Sequence, residues 1–250
     1  MHCILEQLGL VDYAAALDWQ REKVAQRKAG AIPDTLLLLE HPHVYTLGRN
    51  ALEANILASP EFLAARGAQV FHTDRGGDVT YHGPGQLVGY PILDLTQHRR
   101  DIAWYMRSLE EVFIRAARDY GIEAGRSPGA AGVWVGNDKL VAMGVHLSRW
   151  VTSHGFAFNL NTDLRYFEWI VPCGLPGKGV TSLAKLLGRE VKREEVATPV
   201  VEHFGAVFGV EVVEITGELK EVDHAYQRHH APDGGKHCRR NHHQVDEEGW

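Results

Sequence analysis

The chain has 250 residues, 44% hydrophobic and 23% charged, fractions that exclude a disordered, collagen-like or coiled-coil protein. Its 26 Lys and Arg stand against 32 Asp and Glu, a net charge of −6. That balance argues against a nucleic-acid binder, because phosphate recognition usually takes a basic surplus. The longest apolar run of the N-terminal third is Leu36–Leu39, far short of the roughly 20 residues of a membrane helix, so no membrane partner is expected. The opening Met1-His2-Cys3-Ile4-Leu5-Glu6 has no basic segment followed by an apolar one, so no secretory signal is expected there. Cys3, Cys173 and Cys238 form an odd set without metal-type spacing. They read as free thiols of a cytoplasmic protein, with no metal expected.

In chain order, Asp12 is a candidate N-cap for a helix whose stripe includes Tyr13, Leu17 and Val24 and which stops at Gly30. Thr35–Glu40 has strand length, and Val44–Gly48 reads as a second strand after the His41-Pro42 break. From Asp101, the residues Ile102, Tyr105, Met106, Leu109, Val112, Phe113, Ala116 and Tyr120 keep a helical period up to Gly121. Gly132–Val135 and Leu140–Leu147 read as a hairpin across Gly136-Asn137-Asp138. Thr152–Leu160 reads as a strand, with His154, Phe156, Phe158 and Leu160 on one face and Gly155, Ala157 and Asn159 on the other. Thr198-Pro199 looks like the cap and first residue of a helix through Phe208, and Val210–Ile215 like a closing strand. The expected organisation is one domain over residues 1–226 and a polar, His-rich, mobile tail over 227–250.

Three segments carry chemistry. In Arg75-Gly76-Gly77-Asp78-Val79-Thr80-Tyr81-His82-Gly83-Pro84-Gly85-Gln86, the Gly and Pro content lets backbone pass close to a ligand. A plain hairpin explains a lone Gly-Gly; Arg75 and His82 favour a binding loop. The second segment runs from Lys139, ordinarily a solvated hairpin lysine, through Ala142-Met143-Gly144 to Gly155-Phe156-Ala157. Its small residues leave room for something slender against a sheet, or for a close-packed helix. Here His154 reads as a satisfied core histidine. In the third segment Cys173 sits between Pro172 and Gly174, outside any helical or strand period. A rigid turn with Gly beside the thiol suits a nucleophile with backbone N–H groups aimed at an oxyanion. Gly177-Lys178-Gly179 lacks the spacing of a phosphate loop, so no nucleotide or other cofactor is expected.

Taken in order, Arg75–Gln86, Lys139–Asn159 and 172–183 resemble the lipoyl(octanoyl) transferase family, the lipoate–protein ligase B type. Leu38-Leu39-Glu40-His41-Pro42 and Tyr45-Thr46-Leu47-Gly48-Arg49 resemble that family's first strand pair, and the likeness spans about residues 5–215. The resemblance implies an α/β (α+β) fold, a mixed β-sheet with flanking helices like the catalytic domain of biotin and lipoate protein ligases. It implies octanoyl (or lipoyl) transfer from acyl carrier protein to a lysine on the lipoyl domains of 2-oxoacid dehydrogenases and on the glycine-cleavage H protein. The acyl-thioester cysteine falls on Cys173 and the lysine that lowers its pKa on Lys139. Substrate contacts fall on Arg75, Gly76, Gly77, Asp78, Val79, Thr80, Tyr81 and His82, on Ala142, Met143 and Gly144, and on Gly155, Phe156 and Ala157. Arg49, Arg149 and Lys178 are the local basic residues offered to an acidic carrier.

Acyl transfer suits these residue types. A thiol of ordinary pKa, about 8.5, is only a few per cent thiolate at neutral pH, and a nearby ammonium raises that fraction. Two other readings compete. An ATP-dependent lipoate or biotin-type ligase needs no cysteine nucleophile. A non-catalytic carrier- or metal-binding module is suggested by His229, His230, His237, Cys238, His242 and His243, whose irregular spacing favours solvated side chains.

Overall fold

A computed structural model describes residues 1–172 and 177–215; Cys173, Gly174 and the expected tail lie outside them. The chain from Met1 to Ile215 folds as one unit. In order it places β1 (His2–Leu10), α1 (Tyr13–Lys28), β2 (Asp34–Glu40), β3 (Val44–Leu47), α2 (Pro60–Ala64), β4 (Gln69–His72), β5 (Val79–His82), β6 (Gln86–Ile92) and α3 (Ile102–Asp119). There follow β7 (Gly125–Ser127), β8 (Ala130–Val135), β9 (Asp138–Ser148), β10 (Val151–Asn159), β11 (Gly179–Val180), α4 (Leu183–Leu187), α5 (Arg193–Phe208) and β12 (Glu211–Glu214). Among the described residues, a large mixed sheet has the order β12-β1-β2-β6-β10-β9-β8-β7, with β11 against β9. A smaller sheet has the order β4-β3-β5. This is the mixed sheet with flanking helices that the sequence led us to expect.

The period of two in β2 divides the core. Leu36 and Leu38 join Leu87, Phe156 and Phe158 under α3 and α5. Leu37 and Leu39 join Val88, Tyr90 and Ala157 under α1. Burying both faces explains the unbroken run of leucines. Helix α3 begins where the Asp101 carboxylate accepts from Trp104 N at 3.0 Å, and its Phe113 meets Phe156 edge-on at 4.5 Å between ring centroids. The small sheet has its own core, in which Tyr45, Leu47, Leu63, Val79 and Tyr81 pack with Phe167 and Ile170. No helix among the described residues is long and apolar enough to cross a membrane.

Several local expectations change. Helix α5 starts at Arg193, so Pro199 lies inside it and not at its first position. The earlier turn forms because Val196, Ala197 and Val200 face the core, and that burial outweighs the backbone bond that proline removes. The strands β2 and β3 do not pair with each other: β2 lies between β1 and β6, and β3 between β4 and β5. The predicted alternation of Thr152–Leu160 fails at His154, whose φ of 54° turns its ring away from Phe156 and Phe158. It meets Tyr90, on the α1 side, instead. The Gln20 side chain on α1 takes the His154 N–H at 2.8 Å, and this tertiary bond holds a conformation that sequence periodicity does not encode.

At one end of β2 the buried Asp34 carboxylate accepts from Arg27 Nε at 2.8 Å, His98 Nε2 at 2.6 Å and Asp94 N at 2.9 Å. Burial pushes the Asp34 pKa up, but the bonds from His98, the Asp94 N–H and Arg27 together outweigh it and hold the group below the ordinary carboxylate range. Its stabilising contribution is present above the unfolded carboxyl pKa and is lost as pH falls through the folded one. Arg27→Met strips the carboxylate of its strongest counter-charge and should lower stability in urea by about 3 kcal/mol at pH 7. The deficit should shrink as pH falls below the ordinary carboxyl range, where protonation removes the buried charge. A deficit unchanged down to pH 3 would attribute the loss to Arg27 packing.

Candidate active site

A cleft of about 270 Å³ lies where the small sheet and the loop before β5 cover β9 and β10. Arg75 closes one side. Its Nη2 donates to the Thr46 carbonyl at 2.5 Å and to Thr46 Oγ1 at 2.8 Å, its Nε to the same hydroxyl at 3.2 Å. The loop lies flat on β9 through Gly76 N, which donates to Val145 O at 2.9 Å. A side chain at Gly144 would place its Cβ 2.9 Å from Gly76 O, so glycine is required there for the close approach.

The cleft brings together most of the residues singled out from sequence: Arg75, Gly77, Asp78, Val79, Thr80, His82, Lys139, Ala142, Met143, Gly144, Gly155, Phe156 and Ala157. Lys139 is not the solvated hairpin lysine of the ordinary reading; it is 7% exposed, with Nζ 4.7 Å from the Trp134 ring centroid. Two expected contacts do not line the cleft. Gly76 takes part through the backbone bond to β9, and Tyr81 turns into the small-sheet core, stacked on Tyr166 at 4.9 Å with its hydroxyl 2.7 Å from His43 Nδ1. Gly155 lines the cleft with its backbone, but a Cβ there would run into Gly89 O and Pro91 of β6. A larger residue at 155 would therefore disrupt the sheet instead of filling the cleft. Ala157 is the small side chain that faces α1 and the cleft together.

Sequence reasoning did not select Tyr13, Tyr90, His154 and the Gly129-Ala130-Ala131 stretch, all of which line the cleft. The small-residue run Gly129–Gly132 was a visible signal, of the same kind as Ala142–Gly144. Nothing local marks Tyr13 or Tyr90. His154 was noticed and set aside as a core histidine. It is buried, yet it lines the cleft, and its Nε2 lies 2.8 Å from Asp74 Oδ1. That bond, with the neighbouring imidazoles, holds the Asp74 carboxyl well below its usual range.

Lys139 stands beside the chain that follows residues 173–176. On the downstream side, β11 runs parallel to β9 with Val180 opposite Lys139, and Thr181 N donates to Lys139 O at 3.0 Å. On the upstream side, Val171 N donates to Asn55 O at 2.8 Å. Lys178 is tied by Nζ to Asn137 Oδ1 at 2.9 Å. Cys3 is a different thiol. It is wholly buried in the large-sheet core, and burial pushes its pKa up to about 12, so it is no nucleophile.

Tyr13, Tyr90 and His82 of the cleft wall, with His41 packed against them, form an aromatic cluster. Burial lowers the His41 pKa to about 4, against the opposing bond to Val11 O, and raises that of Tyr13 to about 12. The His41 Nδ1 donates to Val11 O at 2.7 Å, and its Nε2 accepts from the Tyr90 hydroxyl at 2.7 Å. Burial first, and then the neighbouring His41, lower the His82 pKa to about 3. Among the described residues no group of three or more His, Cys, Asp or Glu is disposed to hold a metal ion. Small and apolar walls with a few polar groups suit a slender acyl chain and a reacting carbonyl.

The sequence model of the lipoyl protein ligase A/B catalytic domain matches residues 12–205. An octanoyltransferase of Solibacter usitatus is 57% identical over 212 residues, 85% of this chain and 96% of its own length. One from Caldicellulosiruptor bescii is 54% identical over 218 residues, 86% of this chain and 95% of its own. Among solved structures, a T. acidophilum protein described as a lipoate protein ligase, with bound lipoic acid, has a TM-score of 0.69 at 16% identity, covering 91% of this chain and 94% of that one. A lipoate-protein ligase A bound with ATP gives 0.71 at 16% identity over the same shares. At that identity the likeness shows the fold.

The buried neutral histidines make stability depend on pH. The His41 pKa is depressed in the fold, so the unfolded chain takes up a proton near pH 6.5 that the folded chain excludes. Stability is therefore full above about 6.5 and falls as pH drops towards about 4, by about 3 kcal/mol for this group. Glutamine can donate to Val11 O and accept from Tyr90 without titrating. Urea midpoints of His41→Gln between pH 7 and 4 should consequently fall less steeply than those of wild type. Parallel pH profiles would show that His41 is not excluded from protonation.

Proposed function

The chain belongs to the lipoyl protein ligase A/B catalytic-domain family, and from that premise we propose that it is an octanoyltransferase acting through a cysteine thioester. The observation that carries this reading is the placement of Lys139, buried in the wall of an apolar cleft and paired with the strand that follows Cys173 in the chain. The Cys173 thiolate attacks the thioester carbonyl of octanoyl-acyl carrier protein, and the carrier's thiol leaves. The amine of a lysine on a lipoyl domain then attacks the Cys173 thioester, an amide forms, and the thiolate is released. The first exchange is close to neutral in free energy and the second runs downhill to an amide, so no ATP is needed. The acceptors are the lipoyl domains of 2-oxoacid dehydrogenases and the glycine-cleavage H protein. The step begins protein lipoylation, and a nucleophilic free thiol fits the cytoplasm.

Each element of the cleft has a task in that reaction. The Lys139 ammonium stabilises the Cys173 thiolate electrostatically and gives its proton to the departing carrier thiolate; its neutral amine then takes the proton that the lipoyl-domain amine loses. Ala142, Met143 and Ala157 flank the acyl chain, which gains about 0.8 kcal/mol for each methylene removed from water. Arg75 is committed to Thr46 and shapes the cleft. The acidic carrier meets basic groups around the site, with Lys178, Arg49 and Arg149 as the candidates. Arg49 is held against His146 Nδ1 at 3.0 Å.

Mixing the protein with octanoyl-acyl carrier protein, without ATP, should give an intact mass raised by one octanoyl group on Cys173. The adduct should be released by hydroxylamine. Cys173→Ser should remain folded and form no thioester. Lys139→Met should raise the Cys173 thiol pKa, read from alkylation rate against pH. A strict ATP requirement, or full turnover by Cys173→Ser, would refute the thioester route. For the chain site, Ala157→Leu should lower the kcat/KM ratio of octanoyl over butanoyl carrier protein by about tenfold, the effect of losing one or two buried methylenes. A folded variant with an unchanged ratio would place the chain elsewhere.

A further inference from the structure

A line of buried amides connects the chain at Thr181, beyond Cys173, to His82 in the cleft wall. Asn159 Nδ2 donates to the Thr181 carbonyl at 3.0 Å. A carbonyl only accepts, so Asn159 must turn its amino group to Thr181 and its Oδ1 the other way. That oxygen accepts from Gln86 Nε2 at 2.8 Å, and the same nitrogen donates to the Tyr81 carbonyl at 3.2 Å. Gln86 Oε1 is thereby left facing His82 Nδ1 at 2.9 Å, and it needs a donor. All three side chains are buried. Reversing either amide would set acceptors against each other away from water, at about 1–3 kcal/mol for each unsatisfied group. Two backbone carbonyls therefore determine which nitrogen of His82 carries the proton.

The other nitrogen, Nε2, carries a lone pair. Its partner among the described residues is the Thr46 hydroxyl, 3.5 Å away and already accepting twice from Arg75. At that distance the bond is weak, and a better donor in the cleft displaces it. The neutral His82 ring resists protonation because it is buried, so it accepts a hydrogen bond without becoming a proton sink.

We propose that Gln86 and Asn159 are positioning residues that lock His82 in its Nδ1–H tautomer, so that Nε2 accepts a hydrogen bond from the amine of the incoming lysine and orients it towards the acyl carbon. This rests on the reading of the protein as an acyltransferase to an amine. It separates two tasks that one base would otherwise combine: His82 orients the amine, and Lys139 receives its proton.

A long-range proton–nitrogen correlation spectrum of the imidazoles in the wild-type protein at pH 7, with His82 assigned through bonds, tests the lock directly. Protonated Nδ1 and bare Nε2 are expected; an Nε2–H tautomer or an imidazolium overturns the proposal. Adding an apo lipoyl domain should shift the His82 Nε2 resonance upfield, and a domain with its acceptor lysine changed to Met should not. The same response to both domains, or none to either, overturns the role in orienting the amine. Gln86→Glu should draw a second proton onto His82. It should raise KM for the lipoyl domain about tenfold, the loss of one hydrogen bond, while the rate of Cys173 acylation changes less than about twofold. Equal losses in both half-reactions would reduce Gln86 to a structural residue. Absence of a Cys173 adduct in wild type would refute the acyl-transfer reading, whereas the imidazole spectrum tests the tautomer independently of it.

Discussion

A buried guanidinium holds the cleft open. Arg75 satisfies the carbonyl and the hydroxyl of Thr46 on β3 with its Nη2 and Nε, and its Nη1 reaches Gly76 O at 3.1 Å. Taking such a charge out of water is tolerable because several oxygens surround it. Main-chain bonds complete the arrangement: Arg49 N to Arg75 O at 3.0 Å and Asn50 N to Gly77 O at 3.2 Å lock the loop to the end of β3. The loop can then rest on β9 only because residue 144 has no side chain. The space between the sheets is set by this joint, and everything that lines the cleft inherits its position from it.

The electrostatics of the site follow from where polar groups are allowed to go. His41 and His82 are buried and neutral, with hydrogen bonds assigned by their neighbours, as Val11 O does for His41. The charged groups stand at the edges: Lys139 against the Trp134 face, and Asp74 under His154. A cleft of small, apolar and aromatic walls with a few polar groups has room for a slender ligand beside a buried lysine. The strand β11 contributes two residues, yet it ties the chain that follows residues 173–176 to Lys139 by backbone pairing.

Much of the cleft was legible because its requirements are local. A loop that lies close on a sheet needs Gly144, its turn at positive φ needs Gly77, and a cleft for a thin ligand needs Ala142 and Ala157, so these appear as unusual residues in short runs. Helices α1 and α3 were legible for the same reason, since Asp12 and Asp101 cap them and a 3.6-residue apolar period marks α3. The start of α5 was not, because Pro199 is a strong local signal that burial of Val196 and Ala197 overrides. Nor was the side taken by His154, since its positive φ depends on Gln20, 134 positions away in the chain.

The sequence by itself determined the class of fold and the membership of the small-residue segments in one site, because periodicity, turn residues and motif order are properties of neighbours along the chain. Only the tertiary structure decided that Tyr81 leaves the cleft while Tyr13, Tyr90 and His154 enter it, that Lys139 is buried, and which nitrogen of His82 is protonated. Those outcomes depend on hydrogen bonds and packing between segments far apart in sequence. A side chain's partners across a sheet are set when the sheet assembles, and no local pattern records them.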